Sequence, residues 1–498
     1  MLLDADQCYR ALRSHDTRFD GRFFVGVGTT RIYCRPVCTA KTPLRRNCRF
    51  FPSAAAAESE GFRPCLRCRP ELAPGYAVVD ANRRLAQAAA SLMEDGKLAD
   101  ASLPELAATL HVTDRHLRRV FQQEFGVSPV DYAQTQRLLL AKRLLTDTDL
   151  PVIEVSMASG FASLRRFNAL FRTRYRMTPG ELRRSSATRV ADRLAFEIAY
   201  RPPYDWPAIA AFLERRAIAG VERVDARGYH RTLRLERQGK MFSGWISVAP
   251  SRKRAALQVT ASPSLAGALP QVLARVKQLF DVACHPDEIA GALGPLAAKH
   301  PGLRLPGAID GFEIAVRAIL GQQITVKAAA TLARRFVEAF GDPFDVVEER
   351  AGNVRPDERL THLFPLPAAI AALDPSRIAA QGIIAARARA IVALAHALES
   401  GALRLDPAAE VHETVTALEG LPGVGPWTAQ YIAMRALAWP DAFPHPDVAV
   451  LNALGARTRP RQAIRPRQAI VDAERWRPWR AYAVLHLWKS LEGSKEKT

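Results

Sequence analysis

Leu421-Pro-Gly-Val-Gly-Pro-Trp-Thr-Ala-Gln-Tyr431 is the segment on which the reading of this chain turns. Gly423 and Gly425 permit a tight turn whose bare amides sit at the start of a helix, an arrangement that holds a phosphate without reading a base. A Pro/Gly turn between two helices is also an ordinary scaffold connection. The segment alone therefore predicts a helical hairpin and leaves open whether it grips DNA. Asp447 sharpens the reading: it follows the next helix in Asp441-Ala-Phe-Pro-His-Pro-Asp-Val-Ala-Val450, where Pro444 and Pro446 stiffen the chain leading into it. A lone acid is usually a cap or a solvated residue; beside a phosphate-gripping hairpin it is a candidate catalyst.

Outward from this segment, the pattern from Pro306 to about 490 is helical with short turns, which suits helices packed around a groove. Between about 196 and 300, the alternating stretches TLRLER, FSGWISVA and ALQVTAS read as strands, followed by helices around 270–295, an α+β domain. Residues 183–194, RRSSATRVADRL, are basic and Ser-containing and read as a linker. Upstream of them lies an internal repeat: Leu117, Phe121, Phe125 and Pro129 recur as Phe167, Phe171, Tyr175 and Pro179, each 50 residues later.

In the first copy Ser102-Leu-Pro-Glu105 is a capping box, His111-Val-Thr113 a turn, and Thr113 the cap of a second helix with Leu117, Val120 and Phe121 inward. Arg115, His116, Arg118, Arg119 and Gln122 are left outward. The second copy starts near Leu150, turns at Gly160 and is capped by Ser163; Phe167, Leu170 and Phe171 face in, and Arg165, Arg166 and Asn168 face out. Two such units suit helix-turn-helix modules whose second helices enter successive major grooves. An amphipathic bundle with solvated arginines has the same pattern.

With 498 residues the chain is long enough for three or four domains, and 70 Lys+Arg against 50 Asp+Glu leave a formal charge of +20, a field that attracts polyanions. Nucleic acid is the expected partner. No apolar run approaches the length of a membrane span, and the start MLLDADQCYR has no leader pattern, so a cytoplasmic protein without a membrane partner is expected.

The seven cysteines include Cys34 and Cys38, then Cys65 and Cys68, paired spacings about thirty residues apart that read as a tetrahedral zinc site. Most four-cysteine sites are closed and structural, so the spacing argues for metal and leaves chemistry open. Nine basic residues lie from Arg31 to Arg69 (Arg31, Arg35, Lys41, Arg45, Arg46, Arg49, Arg63, Arg67 and Arg69) against Glu58 and Glu60, a wrap of phosphate-seeking charge. Cys8, Cys48 and Cys284 have no paired spacing and read as buried or incidental thiols.

Three resemblances follow from the wording. GTTRIYCRPVCTAKTPLRRNCRFF with GFRPCLRCRPE resembles the amino-terminal domain of the Ada family over residues 1–80. That resemblance implies that Cys34, Cys38, Cys65 and Cys68 hold zinc and that Cys34 irreversibly accepts a methyl group from a DNA phosphotriester. ASGFASLRRFNALFRTRYRMTPGELR resembles the AraC-type signature, which implies a tandem helix-turn-helix domain over 81–185 that activates transcription, with RNA polymerase as a partner. Arg176 stands where the family usually has Gly, as at Gly126 in the first copy.

RPPYDWPAIAAFLERRA, GFEIAVRAILGQQIT, LPGVGPWTAQYIAMRAL, FPHPDVAV and ERWRPWRAYAVLHLW resemble the AlkA family of helix-hairpin-helix DNA glycosylases, over an α+β part at 196–300 and an all-α part at 301–490. This implies excision of alkylated bases such as 3-methyladenine, with Asp447 as the catalytic aspartate, Trp427, Tyr431, Trp488 and Phe212 around the base, and Gln323 at the intercalating position, where the family has an apolar residue. Trp427 follows Gly425-Pro426 where strand-nicking relatives carry a lysine, so a monofunctional hydrolase is expected. The hairpin carbonyls are candidates for a monovalent cation. Ala-Cys-His-Pro around Cys284 departs from the Pro-Cys-His-Arg motif of a second Ada methyltransferase domain, so repair of O6-alkylguanine is not expected. The fold class is thus multidomain, mainly α with α+β parts, and the whole reads as an Ada–AlkA fusion. The alternative is a transcription regulator with a structural zinc site, whose last two domains only clamp DNA.

Overall fold

The computed structural model describes residues 4–15, 19, 23–51, 57, 60–65, 67–68, 85–86, 88–90, 92–93, 102–185, 194–237, 239–253, 255–344, 360–445, 447–458 and 466–492. They fall into two compact units, Met1–Ala90 with Ala107–Pro129, and Ser91–Leu106 with Val130–Thr498.

In the first unit, helix α1 (Ala5–Arg13) turns Cys8, Ala11 and Leu12 inward against Phe23, Val25 and Cys48. Strands β1 (Phe24–Val27), β2 (Ile32–Cys34), β3 (Cys48–Phe51) and β4 (Arg63–Pro64) form a sheet in the order β3-β1-β2-β4. A Cβ on Gly26 would lie 2.6 Å from the Phe51 ring and 2.9 Å from Phe62, so glycine in β1 lets those two rings pack at 5.3 Å. Helix α2 (Leu103–Thr109), whose first turn is assigned to the second unit, opens on the expected capping box: Ser102 N–H donates to Glu105 Oε2 at 2.5 Å, and Glu105 N–H to Ser102 Oγ at 3.4 Å. Helix α3 (Asp114–Phe125) starts at Thr113, whose hydroxyl oxygen accepts from His116 N–H. It buries Leu117, Val120 and Phe121 and stops at Gly126, φ 72°.

The second unit contains the other repeat copy. Helix α4 (Pro129–Asp147) leads to α5 (Val152–Ala158), a turn at Gly160, α6 (Leu164–Tyr175), capped by Ser163, and α7 (Pro179–Ser185). Phe167 and Phe171 are buried and Leu170 partly so. Arg176 takes the left-handed conformation, φ 55° and ψ 26°, that Gly126 takes in the first copy. A side chain there costs roughly 1 kcal/mol, partly offset because glycine loses more freedom on folding. Arg176→Gly should therefore raise stability by about 0.5–1 kcal/mol, read as a higher urea midpoint; a lower midpoint would show that the arginine side chain contributes more than its backbone costs.

Strands β5 (Leu194–Ala199), β6 (Glu222–Asp225), β7 (Gly228–Arg237), β8 (Lys240–Pro250) and β9 (Ala256–Ala261) form an antiparallel sheet in the order β5-β9-β8-β7-β6, with α8 (Trp206–Glu214) between β5 and β6. Alternation places Leu194, Phe196 and Ile198 inward, packed with α9 (Leu269–Leu279). The same core takes Leu138, Ala141, Leu144 and Leu145 of α4 and Val155 of α5. Arg143 donates to the Glu197 carbonyl and lies 4.8 Å over Phe196, and Arg237 bonds the Ala158 carbonyl at 3.3 Å. The helices before the expected linker thus share a core with the sheet after it; residues 186–193 lie outside the described residues.

Helices α10 (Pro286–Leu293), α11 (Gly311–Leu320), α12 (Val326–Phe340), α13 (Pro367–Ala371), α14 (Pro375–Ala379), α15 (Ala385–Glu399), α16 (Val411–Glu419), α17 (Pro426–Ala436), α18 (Val448–Thr458), α19 (Pro466–Ala473) and α20 (Arg480–Glu492) follow among the described residues, with a short antiparallel pair of strands, Asp342–Pro343 and His362–Leu363, between α12 and α13. They form two cores. One is centred on α11, α12, α15 and α17, the other on α10, α18, α19 and α20; Tyr431 packs against both.

The sheet is fastened to α20 through buried polar groups. Arg304, 1% exposed, bonds the carbonyls of Arg201 and Pro203 and the Cys284 sulfur, while Tyr482 Oη donates to Asp281 Oδ2 at 2.8 Å. Burial pushes the partly exposed Cys284 thiol up to about 12 and the Asp281 carboxyl up to about 6. Because Asp281 is raised above its unfolded value of about 3.9, its contribution to stability is full below pH ~4 and is lost as pH rises through ~6. The loss approaches about 3 kcal/mol. The thermal midpoint should accordingly fall between pH 5 and 7 by more in the parent than in Asp281→Asn; equal slopes would show that Asp281 is not the titrating group.

Candidate active site and metal centre

The helical hairpin is α16, a turn through Leu421–Gly425, and α17. Gly423 occupies φ 80°, whereas Gly425, the residue before α17, is extended at φ −96° and ψ 177°. Both are exposed, with the free amides of the α17 amino terminus beside them. The Gly423 carbonyl accepts from Gln322 Nε2 at 2.9 Å, so this hairpin carbonyl, among those expected for a monovalent cation, is already engaged.

One turn into α17, Trp427 and Tyr431 stack with ring centroids 5.2 Å apart and planes 9° from parallel, the consequence of i,i+4 spacing on one helix face. Trp488 of α20 stands 6.4 Å from Tyr431 at 44°. Asp447 precedes α18 and caps it: Val450 N–H donates to Oδ1 at 2.9 Å. The indole N–H of Trp427 donates to Oδ2 at 2.8 Å and that of Trp488 to Oδ1 at 3.1 Å. Residues 427, 431, 447 and 488 are thereby brought into one cluster of a carboxylate and three electron-rich rings. Pro446 lies outside the described residues.

Phe212, which the resemblance places around the base, is buried. It is 6% exposed, and Arg216 and Arg435 lie 3.8 and 5.1 Å from its ring centroid, so it backs the cluster from within the core. Arg435, 3% exposed and not singled out from the sequence, donates to Tyr431 Oη at 2.7 Å and to the Gly307 carbonyl at 3.0 Å. Burial raises the Tyr431 hydroxyl, but the nearby Arg435, Arg216 and Arg317 outweigh it and hold the phenol below its ordinary value. The spacing 427, 431, 435 was the available signal for Arg435. Behind it Arg231–Glu313 at 2.6 Å and Arg317–Glu222 at 2.5 Å tie α11 to the sheet. Gln323 sits exposed in the turn between α11 and α12, next to Ile324, 36% exposed.

In the first unit, the sulfurs of Cys34, Cys38, Cys65 and Cys68 all lie within 4.8 Å of one another. Four sulfurs about 2.3 Å from a tetrahedral zinc stand about 3.8 Å apart, so the set fits that ion. Cys34 ends β2, the Cys38 N–H closes a turn on the Arg35 carbonyl, and Cys65 N–H bonds the Tyr33 carbonyl. Cys38 and Cys68 are buried, while Cys34 and Cys65 are partly exposed. Hydrogen bonds from Cys34 and Cys68 push the Cys38 thiol down to about 2; the same sharing, led by the bond with Cys38, pushes Cys34 up.

The expected basic wrap needs one correction. Arg35 is fully buried; its backbone N–H points at Cys68 Sγ at 3.4 Å and its guanidinium bonds the Cys68 carbonyl at 3.0 Å, so it braces the site instead of facing phosphate. Arg45 pairs with Asp6 at 3.3 Å and lies over Phe50, while Arg46 is exposed. Glu58 and Arg69 lie outside the described residues. Arg115, Arg118 and Arg119 line the exposed face of α3, with Arg118 near Asp114 at 3.8 Å and Arg119 against His116 at 3.1 Å; Arg165 and Arg166 are exposed on α6.

No helix among the described residues is long and apolar enough to cross a membrane. Residues 7–71 match the metal binding domain of Ada, 106–185 a helix-turn-helix domain, 195–310 the AlkA N-terminal domain and 316–480 the HhH-GPD superfamily of base excision DNA repair proteins. The chain is 39% identical, over 98% of its length and 97% of the relative's, to the "Probable bifunctional transcriptional activator/DNA repair enzyme AlkA" of Mycobacterium tuberculosis H37Rv. It is 36% identical over 59% of its length to the "DNA-3-methyladenine glycosylase 2" of Escherichia coli K12, covering 96% of that protein. The "Bifunctional transcriptional activator/DNA repair enzyme Ada" of the same organism is 34% identical over 28% of this chain and 38% of its own.

Proposed function

The chain belongs to the family of fused transcriptional activators and DNA repair enzymes, and from that premise we propose that it excises alkylated bases such as 3-methyladenine by hydrolysis and regulates the response to alkylation damage. The observation that carries the reading is Asp447, held by two indole N–H groups and a helix amide beside stacked Trp427 and Tyr431, one helix turn from an exposed glycine hairpin. An alkylated purine is cationic and already a good leaving group, so it needs electron-rich faces more than an acid. Asp447 stabilises positive charge on the sugar and orients water as the glycosidic bond breaks. Trp427 fills the position at which an attacking lysine would stand, which supports release of base without strand nicking.

At the other end, Cys34, Cys38, Cys65 and Cys68 would hold zinc, which keeps bound thiols deprotonated, and Cys34 is the methyl acceptor in this reading. The helix-turn-helix arginines would seat promoter DNA, with RNA polymerase as the partner recruited there, in the cytoplasm. Incubating the purified chain with methylated duplex DNA and separating the soluble bases tests the enzymatic reading. Release of methylpurines with intact strands is expected; duplex binding without release would leave a regulator with a DNA clamp.

A further inference from the structure

The turn from Gly321 to Thr325 joins α11 to α12, and Gln323 sits in it at φ 53°, a left-handed conformation that a side-chain-bearing residue keeps only where its surroundings hold it. The holding group is its neighbour. Gln322 Nε2 donates to the Gly423 carbonyl at 2.9 Å and to Thr428 Oγ1 at 2.9 Å, using both of its N–H groups. The Gln322 carbonyl accepts from Arg387 of α15. Thr428 is 3% exposed and Arg387 9%, so all three partners are fixed in packed helices or in the hairpin. The side chains of Gln323 and Ile324 project from the tethered turn toward solvent.

We propose that Gln322 is a positioning residue for base excision: its carboxamide ties the turn bearing Gln323 and Ile324 to the phosphate-gripping hairpin, so that insertion into the duplex and grip on its backbone occur as one rigid displacement. The tether ends on the two residues that bracket the function of α17. Gly423 lies in the hairpin, and Thr428 adjoins Trp427, which bonds Asp447. A nucleotide forced out by the turn therefore arrives at Asp447 in fixed register, whereas an untethered turn would yield on contact with the stacked bases. Removing the carboxamide deletes no buried apolar group and leaves the exposed Gly423 carbonyl to water, so the thermal midpoint reports whether losing its bond to Thr428 disturbs folding.

The inference rests on the base-excision reading, and its test separates the two. In the full chain carrying Asp447→Asn, binding to a duplex with 2-aminopurine next to a methylated purine is followed by fluorescence, which reports unstacking without chemistry. Adding Gln322→Ala should abolish most of the rise while duplex affinity stays within about threefold and the thermal midpoint is unchanged. In the chain with Asp447 intact, Gln322→Ala should slow single-turnover base release by at least ~10-fold, the scale expected of a small misplacement of reacting groups. Thr428→Val should give a partial loss of the same kind. Parent-like fluorescence and release in Gln322→Ala would overturn the proposal, and so would a drop in thermal midpoint that accounts for the loss. If the parent unstacks DNA but releases no base, the excision reading fails and the tether stands.

Discussion

Asp447→Asn will lower release of alkylated purines by at least ~10³-fold while leaving duplex affinity within a few-fold of the parent. The carboxylate receives three donors, the indole N–H groups of Trp427 and Trp488 and the amide of Val450. Asparagine keeps one oxygen for them and presents an N–H₂ to the other, so one indole faces a donor instead of an acceptor. It also removes the negative charge that offsets the developing sugar cation, which is the larger effect in a partly dry site. The hairpin glycines and the Gln322 tether are untouched, so phosphate grip survives. Single-turnover assays on methylated duplex beside a binding titration would check both halves. Residual release within tenfold of the parent would show that the aromatic faces and the leaving group's own charge suffice.

What could be read in advance from the chain follows a physical division. Capped helices were legible because caps are local: Ser102 with Glu105, Thr113 and Ser163 start helices where their side chains predict. The repeat was legible because an offset of 50 survives the replacement of Leu117 by Phe167 and of Gly126 by Arg176. The aromatic and carboxylate positions were legible through wording, and their geometry agrees with i,i+4 stacking. Burial of charge was not. Arg35 counts in a basic run, but a run does not say which members turn inward, and Arg35 turned toward Cys68. Phe212 was placed around the base by the resemblance, but that Arg216 and Arg435 lie over its ring was not to be read from the chain. Gln322 escaped because its partners lie 101 and 106 residues away, beyond any local pattern. The shared core of α4–α6 with the sheet escaped for a related reason: a polar stretch at 183–194 resembles a linker whether or not the elements beside it pack together.

Exposure to DNA carrying methylphosphotriesters should add the mass of one methyl group to the chain, on the peptide containing Cys34, and Cys34→Ser should remove that gain entirely. Of the four sulfurs, Cys38 and Cys68 are buried and Cys68 is further occupied by the Arg35 amide, which leaves Cys34 and Cys65 with access to a substrate. The Cys34 sulfur would use its electron pair to form the bond to the methyl carbon as the carbon–oxygen bond breaks, and that bonding pair leaves with the phosphodiester oxygen. The thioether so formed would be a poor methyl donor, so the reaction would stop at one turnover. Four thiolates around a divalent ion sum to −2, and methylation leaves −1, which lowers repulsion from the DNA backbone by about 1 kcal/mol at contact in a watery dielectric. The methylated chain should accordingly bind DNA several-fold more tightly, with the difference shrinking as salt rises. Because Cys34→Ser also removes one of the four clustered sulfurs, Cys65→Ser with zinc content measured on both variants separates loss of the acceptor from loss of the site. Methyl found on Cys65, or no methyl on a zinc-replete parent, would overturn the assignment of Cys34.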